Sequence, residues 1–211
     1  MISLNKITDL LLGDCIRTIE SDEKSIYLTF DDDPNTYCTP LVLNILQKYS
    51  AKATFFVITN NIATNIKVFN RIYEENHSIG NHSPDHNTII YFKGKKSLKT
   101  WINMGESIIS QHINKPSIGF RPPAGLRTPE LRRIMKEQNK KPIMWQHRFF
   151  DTVFAFNNAS WERKFLKMKS GDIILLHDTH KKPQQFLASL EKLIQKLTEN
   201  GFQLKALQYQ R

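Results

Sequence analysis

Two cysteines, eight glycines and nine prolines are few for a chain of 211 residues, and what is scarce or missing closes off several classes of protein. Cys15 and Cys38 stand far apart with no C-x-x-C pattern, which excludes a zinc knuckle and a disulfide framework and leaves two ordinary reduced thiols. No internal repeat or low-complexity linker interrupts the sequence, so a solenoid is excluded. No apolar stretch is long enough to span a bilayer. The first residues, MISLNKITDLLLGDCIRTIES, hold one three-leucine run beside the acidic Asp9 and Asp14. They lack the charged n-region and longer apolar h-region of a secretory signal, and a cytoplasmic location is expected.

What is present fits one compact domain. The length lies within a single-domain range, and 40% hydrophobic residues suffice for a sizeable core. Thirty Lys and Arg against 20 Asp and Glu give a net charge of +10, which favours anionic partners: phosphorylated sugars, lipid headgroups or nucleic acid. The basic residues are scattered, with small clusters at Lys93 to Lys96, Arg132 to Lys141 and Lys181 to Lys182. No aromatic-interleaved RNA motif accompanies them, so no specific nucleic-acid partner is expected and a solvated basic surface is the plain reading.

Along the chain strand-like and helix-like runs alternate. Ile26 to Phe30 reads as a strand; Cys38, Leu41, Val42, Ile45, Leu46 and Tyr49 then recur at helical spacing before a second strand at Ala53 to Ile58. A helix over Val68 to Glu75, a short strand at Ser78 to Asn81, and a helix with Leu98, Trp101, Ile102, Ile108 and Ile109 on one face follow. Gly119 to Arg121 resembles a strand end, and Thr128 before Pro129 reads as a helix cap with proline at the first helical position. Lys141 to Trp145 is expected as the next strand, then a helix from Trp161 to Met168, a buried strand at Ile173 to Leu176, a helix striped by Phe186, Leu190, Leu193 and Leu197, and a closing strand at Gln203 to Leu207. Such alternation predicts a parallel sheet, open or closed into a barrel.

Five polar residues stand where apolar runs end: Asp31 and Asp32 in YLTFDDDP, His82 and His86 in GNHSPDH, and His177 in ILLHDTH. Strand ends of an α/β scaffold are where sites are built, and paired carboxylates beside an H-x3-H spacing are parts of a metal-assisted hydrolase. Two imidazoles and one carboxylate would leave coordination positions open on a catalytic ion. Ser83 followed by Pro84 reads as a helix start between the two histidines.

TFDDDP, HSPDH, FRPPAG, the Asp151 region and LLH follow one another in the order and approximate spacing of the polysaccharide deacetylase motifs, the NodB homology domain of carbohydrate esterase family 4, and the chain resembles that family from about Ile26 to Leu207. The resemblance implies an α/β fold, a distorted (β/α) barrel of about seven parallel strands, over residues 26–211, with residues 1–25 as an N-terminal extension packed on it. It implies a divalent metal, zinc first and cobalt, nickel or manganese as alternatives, held by Asp32, His82 and His86. Asp31 corresponds to the catalytic base and Arg121 to the cation paired with it. His177 corresponds to the general acid, and Asp151 to the carboxylate that orients it, with Asp178 a competing partner. Pro123 and Ala124 fall on the substrate-binding turn, where the Ala124 N–H would face the oxyanion.

The implied activity is hydrolytic removal of an acetyl group from an N-acetylated amino sugar or glycan. The alternatives are another amide or an O-acetyl ester on the same site, or a catalytically silent carbohydrate- or membrane-binding module. Basic charge and the expected location together suggest a nucleotide- or lipid-linked sugar at the inner membrane face, with peripheral contact to anionic lipid. The sequence leaves the oligomeric state open.

Three departures from the family pattern stand out. Thr152 follows Asp151 where the family usually has Trp, and Ala124 stands where Tyr is frequent. Asp33 replaces a glycine, and is expected to face solvent from a turn that Asp tolerates. The phenylalanines of FFDTVFAF, around Asp151, are read mainly as core packing under a long loop.

Overall fold

The computed structural model describes residues 9, 11–149, 151, 158–178 and 183–208. Its centre is β1 (Ser25–Asp33), a nine-residue strand buried along almost its whole length. On one side β1 pairs in parallel with β2 (Ala53–Val57), which pairs with β3 (Ser78–Asn81); on the other it pairs with β5 (Ile173–His177), which pairs with β4 (His147–Arg148). A short β6 (Gln203–Leu204) pairs with Ser25 and Ile26, ahead of the point where β2 begins opposite Leu28.

Backbone hydrogen bonds close this sheet on itself. The 118–121 segment joins β3 through Ile118 N to Ile79 O at 2.9 Å and Arg121 N to Asn81 O at 3.0 Å. Ile143 N then donates to Phe120 O, and Gln146 N donates to Ile173 O, each at 2.9 Å, which returns the ring to β5. The result is a distorted barrel of parallel strands with helices outside.

Parallel strands covered on both faces read as near-continuous apolar runs, and β1 shows why. Ile26, Leu28 and Phe30 point into the main core, packed against helices α1 (Cys38–Lys48), α3 (Ile66–Glu74), α4 (Lys95–Ile113) and α7 (Pro183–Glu199). The alternate residues turn inward. Tyr27 joins Phe56, Ile143, Ile173 and Leu207 in a second, smaller cluster inside the barrel, and the period of two places Thr29 and Asp31 on that same side. Polar groups thus occupy the interior toward the carboxyl end, and the apolar residues fill the other end.

Residues 16–19 wedge into the wall where the 143 and 172 segments part. Ile16 N donates to Pro142 O at 3.0 Å and Met144 N to Ile16 O at 2.7 Å, while Ile19 N donates to Gly171 O at 2.8 Å. That wedge explains a departure from the sequence reading. The strand expected over Lys141 to Trp145 makes only a bridge at Ile143, which is shared between Ile16 and Phe120, and a ladder forms only beyond it, at His147–Arg148.

The helices follow the sequence more closely. In α5 (Pro129–Glu137) the Thr128 hydroxyl accepts from Leu131 N at 3.3 Å, with proline in the first turn. Helix α6 (Asn158–Phe165) lies a little earlier than expected, and Lys167 and Met168 form a closing turn. A short α2 (Asn60–Thr64) precedes α3. Among the phenylalanines around Asp151, Phe149 packs in the main core, while Phe150, Phe154 and Phe156 lie outside the described residues, as do Lys181 and Lys182. Among the described residues no helix is long and apolar enough to cross a membrane.

Gly171 has φ +90°, and a Cβ there would meet the Ile19 carbonyl oxygen at 2.1 Å. Gly171→Ala should therefore break the wedge and cost about 2 kcal/mol or more, read as a lowered urea midpoint; an unchanged midpoint would show that residues 16–19 do not hold the barrel wall.

Candidate active site

Three consecutive aspartates leave the end of β1, and a bulge separates their fates. Asp31 is in register with Phe56 and Asp33 with Val57, so Asp32 is the extra residue, at φ 76°. An extra residue in one strand re-aims side chains. Asp31 turns inward and Asp32 is carried to the barrel mouth.

Arg121 meets Asp31 inside the barrel and is itself completely buried. Its Nη1 donates to Asp31 Oδ1 and to Thr29 Oγ1, both at 2.7 Å; its Nε donates to the Ile143 carbonyl at 3.2 Å and its Nη2 to the Met144 carbonyl at 3.0 Å. The guanidinium lies 3.9 Å from the Phe56 ring centroid and 5.7 Å from that of Trp145. Burial pulls its pKa down, and the Asp31 carboxylate opposes that pull. A planar guanidinium suits this box because its donors form a rigid fork and its faces stack on aromatics. Sequence reading identified the pair and missed the box of Thr29, Phe56 and Trp145, whose members are scattered through the chain.

His82 is bound to the same arginine through the backbone. Its Nδ1 lies 2.9 Å from the Arg121 carbonyl oxygen, which makes Nδ1 the donor and leaves the Nε2 lone pair facing the mouth. That Nε2 is 3.6 Å from Asp32 Oδ1 and 3.7 Å from Asp31 Oδ2, while His86 Nε2 is 3.7 Å from the same Asp32 Oδ1. Burial holds the pKa of His82 below its ordinary value, which favours the neutral imidazole. Ligand atoms of Asp32, His82 and His86 all fall within 4.8 Å of one another, and the buried Asp32 Oδ1 has no hydrogen-bond partner. Two imidazole nitrogens and a carboxylate oxygen left unsatisfied fit a divalent cation of the zinc type.

The loop that joins the two histidines is not the helix start expected from Ser83 and Pro84. Ser83 has φ 83°; Asn81 Oδ1 takes its N–H at 2.8 Å, and Ser83 Oγ takes the His86 N–H at 3.1 Å. Two side-chain-closed turns bring the imidazoles together. Gly105 on α4 makes room for this, since a Cβ there would come within 2.6 Å of Asn81 Oδ1.

His177 ends β5 directly opposite Asp31 in the ladder. Its partner is Asp151, not the adjacent Asp178: Asp151 Oδ1 lies 3.0 Å from His177 Nδ1, and Asp151 Oδ2 accepts the His177 N–H at 2.7 Å. Burial disfavours the imidazolium, but the Asp151 hydrogen bond and the Asp151, Asp31 and Asp32 charges outweigh it and hold the pKa above its ordinary value.

Asp178 is engaged elsewhere. With Asp33 it forms a buried pair of carboxyls, bridged by the Thr39 hydroxyl, and Asn35 Nδ2 donates to Asp178 at 2.8 Å. The expectation that Asp33 faces solvent is corrected: the bulge turns it to the buried face between the sheet and α1, where Thr39 meets it, and burial followed by its Asp178 neighbour pushes its pKa well above the usual carboxylate range. The signal lay in the replaced glycine and the His177-Asp178 pair, but their contact could not be read from spacing.

Pro123 and Ala124 follow Arg121 on a tight turn, Pro123 buried and Ala124 exposed at φ 53°, ψ 12°. This turn leaves the strand end that carries Arg121, which places it at the same end of the barrel.

The sequence profile of polysaccharide deacetylases matches residues 18–143. The chain belongs to the polysaccharide deacetylase family. Within it, this deacetylase-family chain is similar to the peptidoglycan-N-acetylglucosamine deacetylase of Bacillus cereus, at 32% identity over 188 residues covering 87% of this chain and 86% of that one. It is similar to the peptidoglycan deacetylase PdaC of Bacillus subtilis, whose solved structure matches with TM-score 0.76 and 29% identity over 90% of each chain. This chain spans 38% of the whole PdaC sequence. It is also similar to a solved mutant, with restored enzymatic activity, of a pseudoenzyme of carbohydrate esterase family 4, at TM-score 0.78 and 26% identity over 90% of this chain and 68% of that one; the wild-type pseudoenzyme is from Bacillus anthracis.

Arg121→Met keeps the volume but strands Asp31 without its countercharge, and should cost about 3–5 kcal/mol, measured by urea unfolding. A loss under about 1 kcal/mol would show that the pair is not the interior anchor its geometry indicates.

Proposed function

We propose that this chain is a metal-dependent deacetylase that hydrolyses the N-acetyl group of an amino sugar within a glycan. The observation that carries the reading is the pairing of Asp31 with His177 across β1 and β5: a buried carboxylate clamped by Arg121 stands opposite a carboxylate-backed imidazole, beside the Asp32, His82 and His86 triad. Names of relatives support the substrate class, for they include peptidoglycan-N-acetylglucosamine, peptidoglycan-N-acetylmuramic acid and chitooligosaccharide deacetylases. A pseudoenzyme among the structural neighbours means that membership alone does not carry activity. The side chains do.

Asp32, His82 and His86 would hold the divalent metal, zinc first among the candidates. When bound, such an ion polarises a carbonyl and makes water acidic near neutral pH. Asp31 accepts a proton from the attacking water, and Arg121, bonded to its Oδ1, holds this buried base in place. The water oxygen bonds to the acetyl carbon. The Ala124 N–H donates to the developing oxyanion, in a turn that fixes it before the reaction begins. His177, protonated and oriented by Asp151, gives its proton to the departing nitrogen as the C–N bond breaks, which yields acetate and a free amine. Nucleotide-linked or lipid-linked forms of the sugar belong to the same reading, and a substrate panel distinguishes them.

Protein stripped by chelator and reloaded with zinc or cobalt should release acetate from N-acetylated glycans. Asp31→Asn should lower kcat by about a thousandfold or more while zinc content stays at the wild-type level, whereas His82→Ala should lose the zinc. Unchanged turnover in Asp31→Asn would reject the assigned base, and full zinc occupancy in His82→Ala would reject that ligand.

The raised pKa of His177 keeps it charged to a higher pH than a free histidine, and acid catalysis disappears as pH rises through that value. Asp151→Asn removes the hydrogen bond and charge that raise it, so the alkaline limb of kcat/KM should move down by about one pH unit or more. An alkaline limb that stays in place would assign the proton donor elsewhere.

A further inference from the structure

The turn of 3-10 helix at Thr88–Phe92 begins two residues after His86 and buries only part of itself. Tyr91 is buried, and it packs with Ile90 against Leu98, Trp101 and Phe120. Ile89 and Phe92 instead face solvent, at 64% and 79% exposure. Residues three apart in a 3-10 turn eclipse one another, so these two form one apolar ridge. It is set beside a candidate metal ligand, at the carboxyl end of the barrel where the site opens.

The surroundings of this ridge are basic. Lys93 and Lys96 are both exposed. Lys95 and Lys99 share a single carboxylate, Glu137 of α5, and Asp85 accepts from the Trp101 indole at 2.8 Å. With both acids counted, the balance around the ridge remains positive. Isolated exposed apolar residues need no explanation, but a paired apolar ridge inside a lysine collar has the composition of an interfacial anchor. Its apolar side chains enter the acyl boundary, and the ammonium groups meet anionic headgroups, each on a stem long enough to lie along the interface.

We propose that Ile89 and Phe92, framed by Lys93 and Lys96, seat the mouth of the site on an anionic lipid bilayer. A ridge of isoleucine with phenylalanine favours lipid over sugar, because a glycan stacks on an aromatic face and gains little from the aliphatic neighbour. The docked orientation brings the triad to the headgroup plane, where it meets an N-acetylated sugar carried at the membrane. The contact does not depend on the chemistry proposed above, and it is read without turnover.

The test is sedimentation of the whole protein with phosphatidylcholine vesicles, with and without phosphatidylglycerol, and in parallel with insoluble peptidoglycan. The protein should partition onto the anionic vesicles at least about tenfold more strongly than onto the neutral ones, with the preference reduced by salt. The Ile89→Ser, Phe92→Ser double variant should lose about tenfold or more of that binding, and Lys93→Glu with Lys96→Glu should remove the preference for anionic lipid. Both variants should keep the wild-type thermal midpoint, and Phe92→Trp should show emission shifted to the blue on anionic vesicles if the fold is to be excluded as the cause. Equal binding to both vesicle types, vesicle binding that survives loss of the ridge, or loss of peptidoglycan binding alone in the double variant would each overturn the proposal, the last in favour of a glycan surface.

Discussion

A fully buried guanidinium holds this structure's site together. Arg121 sits inside a barrel where an uncompensated charge would be prohibitive, and it is tolerable there because every direction is answered: Asp31 and Thr29 on one edge, the Ile143 and Met144 carbonyls on another, and aromatic rings on its face. Removing one partner of such a pair costs far more than the pair contributes, because the other charge is left in place. The same residue makes three structural ties at once. Its side chain reaches β1, its carbonyl orients His82, and its N–H closes the barrel onto Asn81. Stability and site geometry are therefore not separable here.

Around that anchor the ionisable groups are set to unlike states by position. Burial holds the pKa of His82 below its ordinary value, and Asp151 holds that of His177 above it although His177 too is mostly buried. Two histidines of the same intrinsic basicity are thereby driven in opposite directions, the arrangement that the proposed ligation on one side and proton donation on the other require. Neither effect needs a special residue. Each needs a carboxylate present or absent at hydrogen-bond range.

The outline of this arrangement was legible in the sequence. Apolar runs that stop at Asn81 before His82 and at His177 are strand ends in the structure, the run that stops at Asp31 carries on as a strand for two residues more, and Thr128 caps α5 through its hydroxyl as its position before a proline suggested. What was not legible depends on contacts between distant segments. Spacing could not show that the 141–145 run divides its hydrogen bonds between Ile16 and Phe120, which denies it a ladder. A serine before a proline has two local solutions, cap or side-chain turn, and the buried Asn81 amide selects the second. Asp151 and Asp178 were comparable partners for His177 until Thr39 and Asn35 were seen to occupy Asp178.

The bulge at the end of β1 makes the three aspartates a counting device. Asp31, Asp32 and Asp33 are chemically identical, and only the backbone assigns one to the interior, one to the mouth and one to a buried pair with Asp178. Deleting one of them would leave a protein with nearly the same inventory of donor atoms, yet each remaining carboxylate would inherit a neighbour's post. Point substitutions interrogate such a site one group at a time. A one-residue shift would instead exchange identities, so related chains that carry the same acidic run one position out of step would share its composition and none of its division of labour.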